Sequence, residues 1–221
     1  DRFETGYLEN ITTYFLSDYS AALAQFETGA LWTHSLNQED VLRVKRDHSE
    51  LLLSQWYRSL SGNHTWNMSR AEGSPFFDVR VRRAASKLLD RDLYIQTLFN
   101  TDRFVQAGLP VTTFWNSSIP YAHAEWVDPR SKEIGEGGVN FVYDVAEAKK
   151  LLAAAGYDGK PITISSSERH DEKARAIVHD MLSEGFNIDI KVLDYATAWR
   201  QICQRSGGTG YDGFCYNTGA G

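Results

Sequence analysis

The residues able to do chemistry in this 221-residue chain are not spaced for covalent catalysis. Its histidines, His34, His48, His64, His123, His170 and His179, are scattered, and none belongs to an HExxH pair. No Gly-x-Ser-x-Gly elbow or P-loop is present. Asp47-His48, His170-Asp171 and His179-Asp180 set an acid beside an imidazole, but adjacent residues on a helix do not face each other. These pairs read as solvated helix faces. Gly207-Gly208-Thr209-Gly210 follows a helix and precedes a strand, the reverse of a nucleotide-binding turn, and reads as a plain loop. Cys203 and Cys215 form no CxxC and have no histidine at zinc spacing, so neither a metal site nor a cofactor is expected. A disulfide between them and two buried thiols are equally compatible with the sequence. The strongest local signal is Ile164-Ser165-Ser166-Ser167-Glu168, where a strand end reads through three hydroxyls into a helix N-terminus. Such a turn collects free N–H groups that bind carboxylates or hydroxyl-rich ligands, nominating Ser166 and Ser167; ordinary helix capping is the competing role.

The elements that would carry these residues alternate. A strand is predicted at Phe3–Leu8, then a helix capped by Ser17 or Asp18 and stopped by Gly29. Asn37 introduces a second helix, Glu39 to Arg46, with acids first and bases last. Leu51–Tyr57 and His64–Ser69 read as strands joined by a hairpin at Ser61-Gly62-Asn63. Pro75 and Asp78 open a helix through Leu88, and another runs from Leu93 to Phe99. Residues 108–139 hold three prolines and the rings of Phe114, Trp115, Tyr121 and Trp126 without periodicity, which fits a binding loop or, equally, rings that staple an irregular segment to the core. Asp144-Val145-Ala146-Glu147 is a capping box for a helix ending at Gly156. Strand 161–165, helix 168–184, strand 188–193, helix 196–204 and strand 211–216 complete an α/β pattern.

Composition bounds the class. Lys and Arg total 23 against 29 Asp and Glu, a net charge of −6, which disfavours nucleic acid as a partner. No window approaches about 18 uninterrupted apolar residues, the length of a membrane-spanning helix. Aromatic residues make up 13%, enough for ring-lined binding faces as well as a core. The clustered Arg80, Arg82 and Arg83 lie among Asp78, Asp90 and Asp92 and predict a structural ion-pair network.

Three stretches resemble the family 5 extracellular solute-binding proteins of ABC importers, the peptide, nickel and oligosaccharide class. Ser74-Pro75-Phe76-Phe77-Asp78-Val79-Arg80-Val81-Arg82-Arg83-Ala84, continuing to Leu89-Asp90-Arg91, is similar to that family's PF-D-x-R-V-R-x-A…DR helix entry. Tyr143 to Tyr157 resembles its YDxxxAKxLLxxAGY helix, and Ala21 to Gly29 its AALxxGE helix, although Gly29 is followed by Ala30-Leu31-Trp32 rather than Glu-Ile-Asp. The resemblance spans nearly the whole chain. It implies one α/β lobe, residues 1–221, a mixed sheet flanked by helices like the second lobe of a type II, cluster C periplasmic-binding-protein fold. The chain opens on Asp1-Arg2-Phe3-Glu4 and stops at Gly219-Ala220-Gly221, and both ends read as cuts in a larger two-lobe protein.

The resemblance further implies a non-enzymatic receptor in which ligand bridges two lobes, with the missing N-terminal lobe and a membrane permease as partners. The ligand is a peptide or oligosaccharide, and the location periplasmic or a cell-surface lipoprotein. Carried over by position, Tyr195 of Asp194-Tyr195-Ala196-Thr197 faces the ligand, Asn217 and Thr218 end the strand returning to the hinge, and Trp115 and Asn116 on the irregular loop complete the expected lining. The alternative class is a stand-alone α/β enzyme using the Ser165–Ser167 turn as an anion hole.

Overall fold

In the computed structural model the chain divides into two compact units, residues 1–55 and 56–221. The structure describes residues 9–54, 64–109, 111–115, 119, 121 and 123–218, with backbone alone for 64–67 and 217–218. The expected strand at Phe3–Leu8 lies outside them.

The first unit holds α1 (Tyr19–Glu27) and α2 (Gln38–Asp47). Asp18 caps α1 by accepting from the Ala21 N–H at 2.7 Å. Hydrogen bonds tie the two helices together: the Tyr19 hydroxyl donates to Asp40 at 2.7 Å, and Arg43 reaches Glu27 at 2.7 Å and Asp40 at 3.3 Å. Residues 51–54 form no strand. Lys45 at the end of α2 instead donates to the carbonyls of Ser49 and Leu51, which curls the chain around the helix terminus and diverts those carbonyls from any ladder.

The second unit is built on a four-stranded mixed sheet in the order β1 (His64–Met68), β4 (Phe214–Thr218), β2 (Ile162–Ser167), β3 (Ile188–Leu193). β4, β2 and β3 are parallel, and β1 is antiparallel to β4 with His64 opposite Thr218. The partner of β1 among the described residues is therefore β4, 150 positions along the chain, rather than a hairpin neighbour; the proposed turn at Ser61–Asn63 lies outside the described residues. Gly213 allows β4 to approach β2, since a Cβ there would lie 2.2 Å from the Thr163 carbonyl oxygen.

Strand alternation splits the core into two clusters. On one face Ile162, Ile164, Phe214 and Tyr216 pack with α3 (Val79–Lys87), α4 (Arg91–Phe99), α6 (Val145–Ala155) and α7 (Glu172–Ser183). Phe76 meets Phe214 with ring centroids 4.5 Å apart. On the other face Cys215 points at Trp199, Cys203 and Tyr211. Cys203 and Cys215 are joined by a disulfide with Cα atoms 5.6 Å apart, which resolves the two alternatives that the sequence left open. A short helix α5 (Thr101–Gln106), not anticipated from sequence, follows the left-handed Asn100.

The motifs that carry the family resemblance prove to be clamps. Asp78 caps α3 through the Arg80 N–H, and the Arg80 guanidinium pairs with Asp78 at 2.5 Å while donating to the Ala154 carbonyl at the end of α6. That pairing holds the Asp78 carboxyl at about 2, well below the usual carboxylate range. Arg82 donates to the carbonyls of Phe76 and Phe77, and Arg91 grips the carbonyls of Ser86, Leu89 and Phe141. The expected ion-pair network thus reduces, among the described residues, to the Arg80–Asp78 pair, with Arg82 holding backbone oxygens instead. Asp144 caps α6 through the Glu147 N–H at 2.8 Å, and Gly156 closes it.

Among the described residues of 108–131 there is no helix or strand, whereas Lys132–Asn140 winds into two 3-10 turns meeting at Gly135. No helix is long and apolar enough to cross a membrane among the described residues.

Candidate functional site

The C-terminal edge of the parallel strands is where most of the nominated residues meet. Open parallel sheets bind ligands beyond this edge, because strand ends and helix starts leave unpaired backbone groups there. β2 ends on Ser166 and Ser167, β3 runs through Leu193 into Asp194 and Tyr195, and β4 ends on Asn217 and Thr218. The antiparallel β1 begins at the same edge.

The serine run differs from expectation. β2 continues through Ser167, with all three serines buried, and α7 begins only at Glu172 behind an Asp171 cap. The reason is pairing: Ser166 and Ser167 stand in register with Val192 and Leu193, and the Glu168 N–H continues the ladder to the Leu193 carbonyl. The hydroxyls therefore do not converge on a helix N-terminus. The Ser167 hydroxyl accepts from the Arg169 N–H at 3.0 Å, closing a local turn. The anion hole on which the enzyme alternative rested is missing.

What occupies the edge instead is a buried chain of polar side chains that the sequence reading overlooked. His170 is not on a solvated helix face. It lies in the turn between β2 and α7, 8% exposed, with its ring edge-on to Trp199 and Tyr216 at 5.0 and 5.4 Å. Its Nδ1 accepts from the Ser167 N–H at 3.1 Å and sits 3.2 Å from the Ser166 hydroxyl, which in turn accepts from Arg175 Nη1 at 3.3 Å. Burial, with Arg175 nearby, pushes the imidazole below its ordinary range. Tyr94 donates its hydroxyl to that of Tyr216, and burial raises the Tyr216 phenol to about 12.

Arg175 is the unusual member. It is 8% exposed, its guanidinium donates to Ser166, and no carboxylate among the described residues lies within ion-pair distance. A buried charge is ordinarily paired, because leaving water costs several kcal/mol. The sequence signal was present: Arg175 falls in the stripe of Ala174, Val178, Met181 and Leu182 that α7 buries.

The π-helix Tyr195–Gln204 supplies the aromatic side of the edge. Its wide turn, closed by the Trp199 N–H to the Asp194 carbonyl at 2.8 Å, stacks Tyr195 on Trp199 with centroids 5.4 Å apart. Helical segments of this kind concentrate at functional sites. Arg169 lies over the Tyr195 ring at 4.5 Å, and the buried Trp199 indole N–H has no hydrogen-bond partner among the described residues.

Trp115 stands apart from this group. Its indole N–H donates to Asp92 at 2.8 Å, Arg91 and Arg130 lie over its ring, and its carbonyl accepts from Trp126. It braces the irregular loop against α4. Asn116 lies outside the described residues, and for Asn217 and Thr218 the structure describes backbone only. No group of three or more histidine, cysteine or acidic residues suited to a metal ion occurs among the described residues.

The His170 geometry predicts a pH dependence. A neutral Nδ1 is required to accept from Ser167, so the folded state resists protonation while the unfolded imidazole protonates near its ordinary value. The unfolded state then binds more protons, and stability falls as pH drops below about 6.5. Melting temperature measured between pH 7.5 and 5 is expected to decline, and His170→Asn, which keeps an acceptor without a titration, is expected to flatten that decline.

Comparison with known proteins places this arrangement. Residues 2–212 match the family described as bacterial extracellular solute-binding proteins, family 5 Middle. The chain belongs to the family 5 bacterial extracellular solute-binding proteins. Among family 5 relatives, it is 22% identical over 223 residues to the oligopeptide-binding protein AppA of Bacillus subtilis, covering 93% of this chain and 37% of that protein. It is 31% identical over 131 residues to the periplasmic oligopeptide-binding protein OppA of Salmonella typhimurium, covering 56% of this chain and 22% of that protein. The chain therefore spans well under half the length of either relative. Its fold matches the crystal structure of the ABC transporter substrate-binding protein CtaP of Listeria monocytogenes with a TM-score of 0.66 and 18% identity, over 91% of this chain and 38% of the other. The expected α/β class and the expected family both hold.

Proposed function

We propose that this chain is one lobe of a hinged, extracytoplasmic receptor that captures a short peptide and delivers it to the permease of an ABC importer. The observation that carries this reading is Arg175, a buried guanidinium without an acidic partner among the described residues, at the edge where β2, β3 and β4 end. A peptide offers the carboxylate such a group lacks, whereas a neutral oligosaccharide does not. Both curated relatives are named for oligopeptide binding, which supports the same ligand class.

In this reading Ser166 and His170 hold Arg175 in place, and Ser167 fixes the turn that carries His170. Tyr195, at the start of the π-helix, stands at the face toward the N-terminal lobe, and the backbone of β4 brings Asn217 and Thr218 to the same edge. Closure of the N-terminal lobe over this face buries the ligand without covalent chemistry. The protein works in the periplasm or at the cell surface.

Thermal unfolding with Ala-Ala-Ala, the same tripeptide amidated at its C-terminus, maltotriose and a nickel–histidine complex tests this. Ligand at about 100 times its dissociation constant adds roughly 2.7 kcal/mol of stability, a visible shift. Free-carboxylate peptide is expected to raise the melting temperature, amidated peptide to raise it less, and maltotriose to leave it unchanged. Stabilisation by maltotriose or by the nickel complex with none by peptide would overturn the assignment.

A further inference from the structure

The opposite edge of the same sheet carries a second cavity. There Met68, the last residue of β1, pairs with Phe214, the first of β4. The segments after β1 and before β4 are sewn together: the Ser69 N–H donates to the Gly213 carbonyl at 2.8 Å, and the Ser69 hydroxyl to the Tyr211 carbonyl at 2.5 Å. Between them and the 3-10 turn Pro75–Phe77 lies a pocket of about 710 Å³. Its apolar wall is Met68, Phe76 and Phe77, its polar wall Arg70 and Arg82, and the Tyr211 ring closes it. None of the described residues that line it is acidic.

Two of these groups are unspent. Arg82 is committed to the Phe76 and Phe77 carbonyls. The Arg70 guanidinium, by contrast, makes no hydrogen bond or ion pair among the described residues, although its position is set. Its backbone N–H donates to the Gly208 carbonyl at 2.6 Å, and its aliphatic stem lies across Gly208, where a Cβ would come within 3.3 Å of it. Gly208 also has φ +92°, so a side chain is disfavoured there twice over. Tyr211 is 8% exposed, and its hydroxyl likewise has no hydrogen-bond partner among the described residues. Arg70 is near enough to oppose the rise in the Tyr211 phenol that burial causes.

We propose that this pocket is a second ligand site, separate from the peptide edge, for a small organic carboxylate with an apolar or aromatic body. The carboxylate sits on Arg70 with the Tyr211 hydroxyl as its second donor, and the body lies against Met68, Phe76 and Phe77. A carboxylate suits the site because the planar Arg70 guanidinium can donate to both of its oxygens, while the apolar wall takes the uncharged body. The site does not depend on the peptide reading, since it shares no residue with that edge.

The probe is 4-phenylbutyrate, compared with its neutral analogue 4-phenylbutanol by calorimetry and by chemical-shift changes at Met68 and Tyr211. The acid is expected to bind at least about 10-fold more tightly than the alcohol, the worth of one charge-assisted hydrogen bond. Arg70→Gln, an exposed substitution that should leave the melting temperature unchanged, is expected to erase that preference. Tyr211→Phe, which keeps the buried ring, is expected to weaken the acid by about 3- to 10-fold with little effect on the alcohol. Equal binding of acid and alcohol, unchanged binding by Arg70→Gln, or no saturable binding up to about 10 mM would each overturn the proposal.

Discussion

Arg175→Met is expected to make the protein more stable and to remove the preference for a free carboxylate that we propose for its peptide ligand. The two effects have one cause. Arg175 gives up its hydration to lie in the buried stripe of α7 and receives a single hydrogen bond to Ser166 in return. Methionine fills similar volume without that desolvation, and replacing buried charges by apolar residues stabilises by about 1 to 4 kcal/mol; the low end is expected here, because Arg175 keeps one hydrogen bond. Ser166 is not stranded by the change, since its hydroxyl stays within 3.2 Å of His170 Nδ1. The carboxylate would lose the buried cation proposed to receive it, a loss of about 3 kcal/mol or roughly 100-fold in affinity. Guanidinium unfolding reads the first effect and peptide calorimetry the second. A destabilised Arg175→Met that still prefers the free carboxylate would show that the guanidinium is merely structural.

Removing the disulfide carries the largest expected change in stability. Cys203 lies near the end of the π-helix and Cys215 in the middle of β4, twelve positions apart, and the bridge ties that helix to the outer face of the sheet. In the chain-entropy account, a loop of this size restricts the unfolded chain by about 3 kcal/mol. Cys203→Ser with Cys215→Ser, or reduction of the native protein, is expected to lower the unfolding free energy by that amount. Because Trp199 and Tyr211 share the small cluster with the bridge, loosening should be felt first where Tyr195 stacks on Trp199. Hydrogen exchange across Tyr195–Gln204 is expected to rise in the reduced protein while α3 and α6 stay protected. Uniform change across the domain would refute that localisation.

Helices α1, α3, α4 and α6 were legible in the chain because their ends are written in short-range chemistry. Asp18, Asp78, Asp90 and Asp144 each accept from an N–H two or three residues on, whatever the rest of the molecule does. The same locality explains why the family was recognisable: Arg80, Arg82 and Arg91 hold carbonyls that keep the helices in place, so those residues are required by the architecture. The edge strand β3, with its alternating pattern, was legible for the same reason.

The site was not legible, because it depends on pairings across the chain. Three consecutive serines favour a turn, and it took the register with Val192 and Leu193 to make Ser166 and Ser167 strand residues. His170 beside Asp171 looked solvated until the fold brought Trp199 and Tyr216 against its ring from two distant elements. By itself the sequence determined α1, α3, α4 and α6 with their caps, the α/β order and the family. Tertiary structure alone decided that β1 pairs with β4, that Cys203 meets Cys215, and that Arg175 lies buried without a counter-ion among the described residues. Capping and periodicity act over a few residues and are encoded there. Burial and charge compensation are properties of everything that surrounds a residue, and those surroundings exist only once the chain has folded.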